Sequence, residues 1–105
     1  MGRAETTLKE LKGLLPDGFT NTYEEEITLA ARAASNCDWS NLATNLMNIG
    51  WWSQELTGKI NAMLRSKKIT ELERYRIGNT IVRLEGSLIE DIEEALTKSC
   101  SCSFK

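Results

Sequence analysis

Residues 70–98 read TELERYRIGNTIVRLEGSLIEDIEEALTK, and their apolar positions recur at the three- and four-residue spacing of an α-helix. Two apolar stripes are present: the first is Ile77, Ile81, Leu84, Leu88, Ile92 and Ala95, and the second is Tyr75, Val82, Ile89 and Leu96. Together they span about half of the helix circumference, which is more than contact with one neighbouring helix requires. The segment is therefore predicted to be a helix that is either central in a bundle or buries one flank against another chain.

Three earlier segments show the same helical spacing: 7–15, 22–35 and 39–65. A residue able to cap the helix stands at the start of each segment, and these residues are Thr7, Thr22, Asp38 and Thr70. Each threonine is followed three residues later by Glu, which is the pattern of a capping box. No segment alternates apolar and polar residues with period two. The sequence predicts an all-α fold, a small antiparallel bundle of about four helices joined by short loops.

The helix predicted over 39–65 carries a continuous apolar arc when its residues are placed at 100° intervals. The arc consists of Trp39, Leu42, Leu46, Ile49, Leu56, Ile60, Met63 and Leu64. The two long helices would each be about 40 Å long, and the two short helices can cover only part of them. We therefore expect part of this apolar surface to be exposed in a single copy, and a homodimer is the simplest way to cover it.

Composition limits the classes of function. The chain has 105 residues, which fits one domain over 1–98 followed by a Ser/Cys-rich tail at 99–105 that we expect to be flexible. The net charge of −2 argues against a protein that binds nucleic acid with its whole surface. The absence of histidine removes the usual near-neutral general base and His-ligated metal sites. We expect no enzyme activity, no small-molecule substrate, no metal and no cofactor.

The cysteines and the N-terminus bear on location. Cys37, Cys100 and Cys102 are too few and too unevenly spaced for a disulfide framework. The sequence therefore predicts reduced thiols and a cytoplasmic location, since disulfides persist mainly in oxidising compartments. The N-terminal residues lack the apolar core of a signal peptide, and no apolar run approaches membrane-spanning length. We expect no membrane partner.

Tryptophan positions in the predicted third helix indicate a possible protein interface. Trp39 lies in the apolar arc and Trp52 at its edge, but Trp51 lies about 120° from Trp39 on the helical count. Two explanations are open, because Trp51 is either buried by its own bundle or exposed for contact with another molecule. The candidate interface residues are Met47, Trp51, Trp52, Glu55, Tyr75 and Glu85.

Glu85 falls inside the apolar surface of the fourth predicted helix, and Arg74 lies on nearly the same line three turns earlier. A carboxylate in this position either pairs with a cation in the interior or reaches water at a rim. In the first case it is also a candidate acid–base group.

A basic cluster surrounds the connection between the two long helices. Its members are Arg65, Lys67, Lys68, Arg74 and Arg76. Lysine and arginine next to an aromatic residue, here Tyr75, can contact phosphates and nucleic acid. However, Glu71 and Glu73 dilute the charge, and the acidic residues 24–26 are expected at the same end of the bundle, where they would neutralise it.

An acidic run over 90–94 lies near the end of the fourth predicted helix. The helical count places residues 90, 91 and 94 on the outer side, so we expect a solvated face or a docking site for a basic partner. These observations favour a non-enzymatic protein–protein interaction module, such as a small regulator, inhibitor or accessory subunit, that is homodimeric. A nucleic-acid-binding accessory protein that uses the 65–76 connection is the alternative, and a carboxylate-dependent enzyme is the third hypothesis.

Overall fold

The computed structural model describes residues 2–100 and contains four helices: α1 (Gly2–Leu14), α2 (Asn21–Ser35), α3 (Trp39–Arg65) and α4 (Glu71–Cys100). No strand occurs in this range, so the predicted all-α bundle is confirmed. The bounds of α3 agree with the prediction, and α4 continues two residues beyond the predicted end. The proposed tail thus begins inside a helix, and residues 101–105 lie outside the described residues.

α4 is the central helix, because it packs against each of the other three. α1 runs antiparallel to its C-terminal half, as contacts of Ala4 with Asp91 and of Glu10 with Arg83 show. α2 lies against both long helices, and α3 returns antiparallel to α2. The bundle is elongated, with extents of 51 × 22 × 20 Å. The first of the two alternatives for the fourth helix, a central position, is therefore confirmed.

The core is a layer of aliphatic and small residues along the contacts with α4. On α4 it contains the whole first stripe apart from half-buried Ala95. α2 contributes a face of alanines, which lets the neighbouring helices approach closely. The most completely buried apolar side chains are Ala4, Leu11, Ala30, Ala34, Ile77 and Leu84.

The apolar arc predicted for α3 is only partly buried. Leu42, Ile49 and Leu56 are in the core, whereas Trp39 and Leu46 are more than one-third exposed. The arc is wider than the surface that α2 and α4 can cover, because α1 packs on α4 and makes no helix contact with α3 within residues 2–100. Part of the apolar surface therefore remains exposed, as expected from the short lengths of α1 and α2.

The predicted start of α1 at Thr7 is wrong. The helix begins at Gly2, and the Thr7 hydroxyl donates to the carbonyl oxygen of Arg3 inside it. The N-terminal cap comes from α4, since Asp91 Oδ2 accepts a hydrogen bond of 3.0 Å from the Ala4 backbone N–H. A carboxylate at this position satisfies an otherwise unpaired donor and interacts favourably with the helix dipole.

Two of the other three helices, α3 and α4, have the predicted N-terminal caps. Thr22 does not cap α2, which is preceded by Thr20, whose hydroxyl donates to Glu24. Asp38 caps α3 by accepting from the Asn41 N–H, as predicted. The capping box at α4 is also confirmed, because Thr70 and Glu73 exchange hydrogen bonds of 2.9 and 3.1 Å.

The corner between α2 and α3 contains a backbone conformation that the sequence did not indicate. Asparagine is, after glycine, the residue most often found in the left-handed region at the end of a helix, but Asn36 has a φ of −102°, and Cys37 has a φ of 54° instead. Between α1 and α2, Gly18 has a φ of 85° in the turn after Pro16, a conformation that glycine adopts without steric cost.

Cys37 and Cys100 form a disulfide, with a Cα–Cα distance of 5.8 Å. The prediction of reduced thiols is therefore wrong for these two residues. They are 63 residues apart in sequence but adjacent in space, because α2 and α4 run parallel and both end at this corner. Cys100 is also one of the most completely buried residues, so the end of α4 is a structural part of the bundle.

The disulfide is expected to contribute substantially to stability. Closing a loop of 63 residues restricts the unfolded chain, which corresponds to a gain of about 4 kcal/mol in the loop-entropy model. We predict that Cys37→Ser lowers the free energy of unfolding by a large part of this amount, as measured by urea denaturation. Reductant should lower the stability of the wild-type protein to the same level and leave Cys37→Ser unchanged. Equal stability of wild type with and without reductant would contradict the assignment.

Candidate interaction surface

An open groove runs between α3 and α4 and has a volume of about 780 Å³. We call it the α3–α4 groove. Its lining on α3 is Gly50, Ser53, Gln54 and Thr57, and its lining on α4 is Arg74, Tyr75, Gly78, Asn79, Ile81, Val82 and Glu85. Two of the six predicted interface residues, Tyr75 and Glu85, thus lie together in this groove.

Two glycines keep the groove open in the middle of its helices. A Cβ atom added at Gly50 or Gly78 would have no neighbouring heavy atom within 4 Å. Glycine in a helix interior costs about 0.5–1 kcal/mol relative to alanine. Packing within the described chain therefore gives no reason for glycine at either position.

Large apolar side chains stand along the rim of the groove on α4. Tyr75 is 65% exposed and Val82 is 67% exposed. Ile89, which is 54% exposed, continues the line two turns beyond Val82. These three residues are members of the second predicted stripe. Residues 2–100 therefore leave most of that stripe uncovered, whereas the first stripe forms the core.

Glu85 lies half-buried at the inner end of the groove, and burial raises the pKa of its carboxyl group. It lies near buried Tyr23, whose pKa is raised to about 12 mainly by burial and further by the charge of Glu85. No cation within residues 2–100 forms an ion pair with Glu85. The expected alternative of a buried pair with Arg74 is not observed, because Arg74 Nε donates to Asn61 Oδ1 at 2.9 Å.

The tryptophans and Glu55 lie away from the groove. Trp51 is 55% exposed, and its ring packs against that of Trp52 with the centroids 4.9 Å apart. Trp52 is half-buried and lies, together with Glu55, beside Phe19 and the start of α2. Met47 is 76% exposed. The six predicted interface residues are thus divided between the groove and other parts of α3, and burial of Trp51 by its own bundle is not observed.

The basic cluster at the α3–α4 connection is exposed along its whole length. None of its five cations forms an ion pair with a carboxylate in the described part of the chain. The expected neutralisation by residues 24–26 does not occur, because Glu24 pairs with Lys12 at 3.2 Å and Glu26 accepts from Asn45 and Asn48. The connection is therefore a local positive surface.

The acidic run on α4 has a partner within the chain that sequence reasoning missed. Arg3 contacts Glu90, Asp91 and Glu94 at 3.5, 3.0 and 2.8 Å. Asp91 is buried, so the prediction that it points outward is wrong. The sequence shows an isolated arginine near the N-terminus, but its partner Asp91 lies 88 residues away and cannot be identified from local spacing.

No group of three or more metal-binding side chains occurs within residues 2–100. None of the four described helices is long and apolar enough to cross a membrane. Comparison of the chain with protein-family models, curated protein sequences and solved structures finds no match.

The exposure of Trp51 leads to a prediction about folding. We expect Trp51→Ala to lower the free energy of unfolding by less than about 1 kcal/mol, since surface changes have small effects. Leu84→Ala, at a fully buried position of α4, should cost about 2–5 kcal/mol and serves as the matched control. Urea denaturation of both variants at low protein concentration measures the difference. A loss at Trp51 as large as that at Leu84 would place the tryptophan in the core.

The docking of α1 is predicted to weaken in acid. Hydrogen bonds first from Arg3 and then from Lys98 lower the pKa of Glu94 from 4.5 to about 2. Because the folded pKa is lower than the unfolded one, this contribution is complete above pH 4.5 and is lost as the pH falls towards 2. Arg3→Ala should therefore flatten the decline of unfolding free energy over this pH range, whereas Lys9→Ala should not. If the unfolding free energy of Arg3→Ala declined with falling pH as steeply as that of the wild type, the prediction would be contradicted.

Proposed function

We propose that this protein is a non-enzymatic protein–protein interaction module that forms a homodimer through the α3–α4 groove and the apolar side chains along it. The observation that carries the proposal is the exposure of Tyr75, Val82 and Ile89 on one side of α4. Apolar side chains of this size are exposed together mainly where another molecule covers them. A homodimer uses the same surface of both copies, so one exposed face is sufficient.

The chemistry of the groove favours binding over catalysis. Its polar groups are a half-buried carboxylate, an arginine, hydroxyls and amides, and no histidine is present in the chain to act as a near-neutral base. A carboxylate with a raised pKa is also a feature of acid–base catalysts, so Glu85 is the residue on which the enzyme hypothesis depends. Among the described residues that line the groove, the other titratable side chains are Arg74 and Tyr75. Both lie about three helical turns from Glu85 on α4.

Nucleic-acid binding is the second candidate. The observation that favours it is the absence of ion pairs from the five cations around the α3–α4 connection, within the residues that the structure describes. Unpaired lysine and arginine side chains supply the sequence-independent part of phosphate binding. The apolar face on α4 has no role in this alternative, and for that reason we place it second.

The disulfide bears on the cytoplasmic location that is expected from the sequence. That expectation rested on reduced thiols, and the Cys37–Cys100 disulfide removes its basis. Disulfides persist mainly in oxidising compartments. We infer that the protein functions where this bond is maintained.

The test is the mass of the protein as a function of concentration, measured by sedimentation velocity. We predict a dimer at high concentration and dissociation on dilution. Val82→Asp should raise the dimer dissociation constant at least about tenfold, since it places a charge in an apolar contact. The side chain is exposed in one copy, so the variant should remain helical. Leu29→Asp, at an exposed apolar position on α2, is the control and should leave the mass unchanged. A wild-type monomer at all concentrations would remove the homodimer proposal.

A further inference from the structure

The two ends of the α3–α4 groove carry opposite charges. Arg74 and Glu85 both line the groove. Arg74 lies at the end nearer the α3–α4 connection, and Glu85 lies at the other end. They are eleven residues apart on α4, which corresponds to about 16 Å along the helix axis. This distance is too long for an ion pair within one copy, and none joins these two residues.

A second copy of the chain can bring Arg74 and Glu85 together across an interface. If two α4 helices cross antiparallel with a two-fold axis near Asn79, Arg74 of each copy lies level with Glu85 of the other. The charges at the ends of the groove are therefore self-complementary, which is the property that a two-fold interface requires. Half-buried Glu85 would obtain the cation that no residue of 2–100 provides in its own copy.

The same axis gives a role to Gly78, which lies next to the crossing point. Two helices approach each other closely where a residue has no side chain, and a Cβ atom at Gly78 would meet nothing within the described chain. Tyr75 of one copy then lies level with Leu84 of the other, which is buried, and two residues from exposed Val82, about 3 Å along the helix axis. The long Tyr75 side chain can cover this distance.

Charge on the flanking segments is consistent with this antiparallel arrangement. The basic connection, with Arg65, Lys67 and Lys68, extends beyond Arg74 at one end of the face. Exposed Glu93, which has no ion pair within residues 2–100, lies beyond Glu85 towards the other end. An antiparallel copy places the basic end of one chain near the acidic end of the other, whereas a parallel copy would place like charges together.

We propose that two copies of this chain associate antiparallel through the α3–α4 groove, with α4 crossing at Gly78 and with two reciprocal ion pairs between Arg74 of one copy and Glu85 of the other. This inference rests on the proposed function, because it specifies the register of the homodimer.

The first experiment is a charge exchange followed by sedimentation at several protein concentrations. Arg74→Glu alone and Glu85→Arg alone should each raise the dimer dissociation constant at least about tenfold, because each places like charges together at both ends of the interface. The double variant Arg74→Glu/Glu85→Arg restores opposite charges and should return the constant to within about threefold of the wild type. Arg76→Glu is the matched control, since Arg76 is on the same helix and outside the groove lining.

A second variant tests the crossing point without changing charge. Gly78→Leu should abolish the dimer while the monomer remains helical by circular dichroism, because the space at Gly78 is open in one copy. Gly13→Leu on α1, where the space is also open, should leave the dimer intact.

The outcomes separate this inference from the proposed function. A wild-type dimer that Val82→Asp dissociates, but that tolerates both single charge reversals and Gly78→Leu, would overturn the register and retain the homodimer. A wild-type monomer at all concentrations would overturn both. Loss of retention on a polyanion column in Arg74→Glu, with the mass unchanged, would assign the arginine to nucleic acid and overturn the ion pair.

Discussion

The structure depends on the burial of α4 between three neighbours. Its 30 residues form the longest helix of the described chain, and every other helix contacts it. Among the helices of residues 2–100, α1 packs its backbone only against α4, and an ion pair between Lys12 and Glu24 links it to α2. α4 also supplies the carboxylate that caps α1 and the cysteine that fixes the corner after α2. Changes in the packing of α4 are therefore expected to affect the whole bundle.

Interactions between residues close in sequence were predictable. The 100° spacing gave the bounds of α3 and the core stripe of α4, because local periodicity controls which face of a helix is apolar. The caps at Asp38 and Thr70 follow from contacts over three residues. The candidate site was partly predictable for the same reason, since Tyr75 and Glu85 stand on one side of α4.

Interactions between residues distant in sequence were not predictable from one chain. Thr7 has the sequence of a cap, but Asp91 takes that role because α1 docks antiparallel on α4 and its start meets the acidic run. The same docking brings Arg3 to Glu94 and turns an expected docking patch into an internal contact. The pairing of Cys37 with Cys100 depends on the parallel course of α2 and α4, which no local pattern specifies. The α3–α4 groove depends on how two helices pack against each other. The sequence alone therefore did not show that Gly50 and Gly78 line the same groove.

The disulfide also determines how the chain would respond to mechanical force. The covalent ring closed by Cys37 and Cys100 contains α3 and α4, whereas α1 and α2 precede it. A force applied between Gly2 and Cys100 would pass through the bond and leave the ring unloaded. The extended length would then be about 120 Å, set by the residues before the bridge, instead of about 340 Å for the reduced chain. Under tension α1 and α2 would be stripped from the bundle, while the hairpin of α3 and α4 would carry no load.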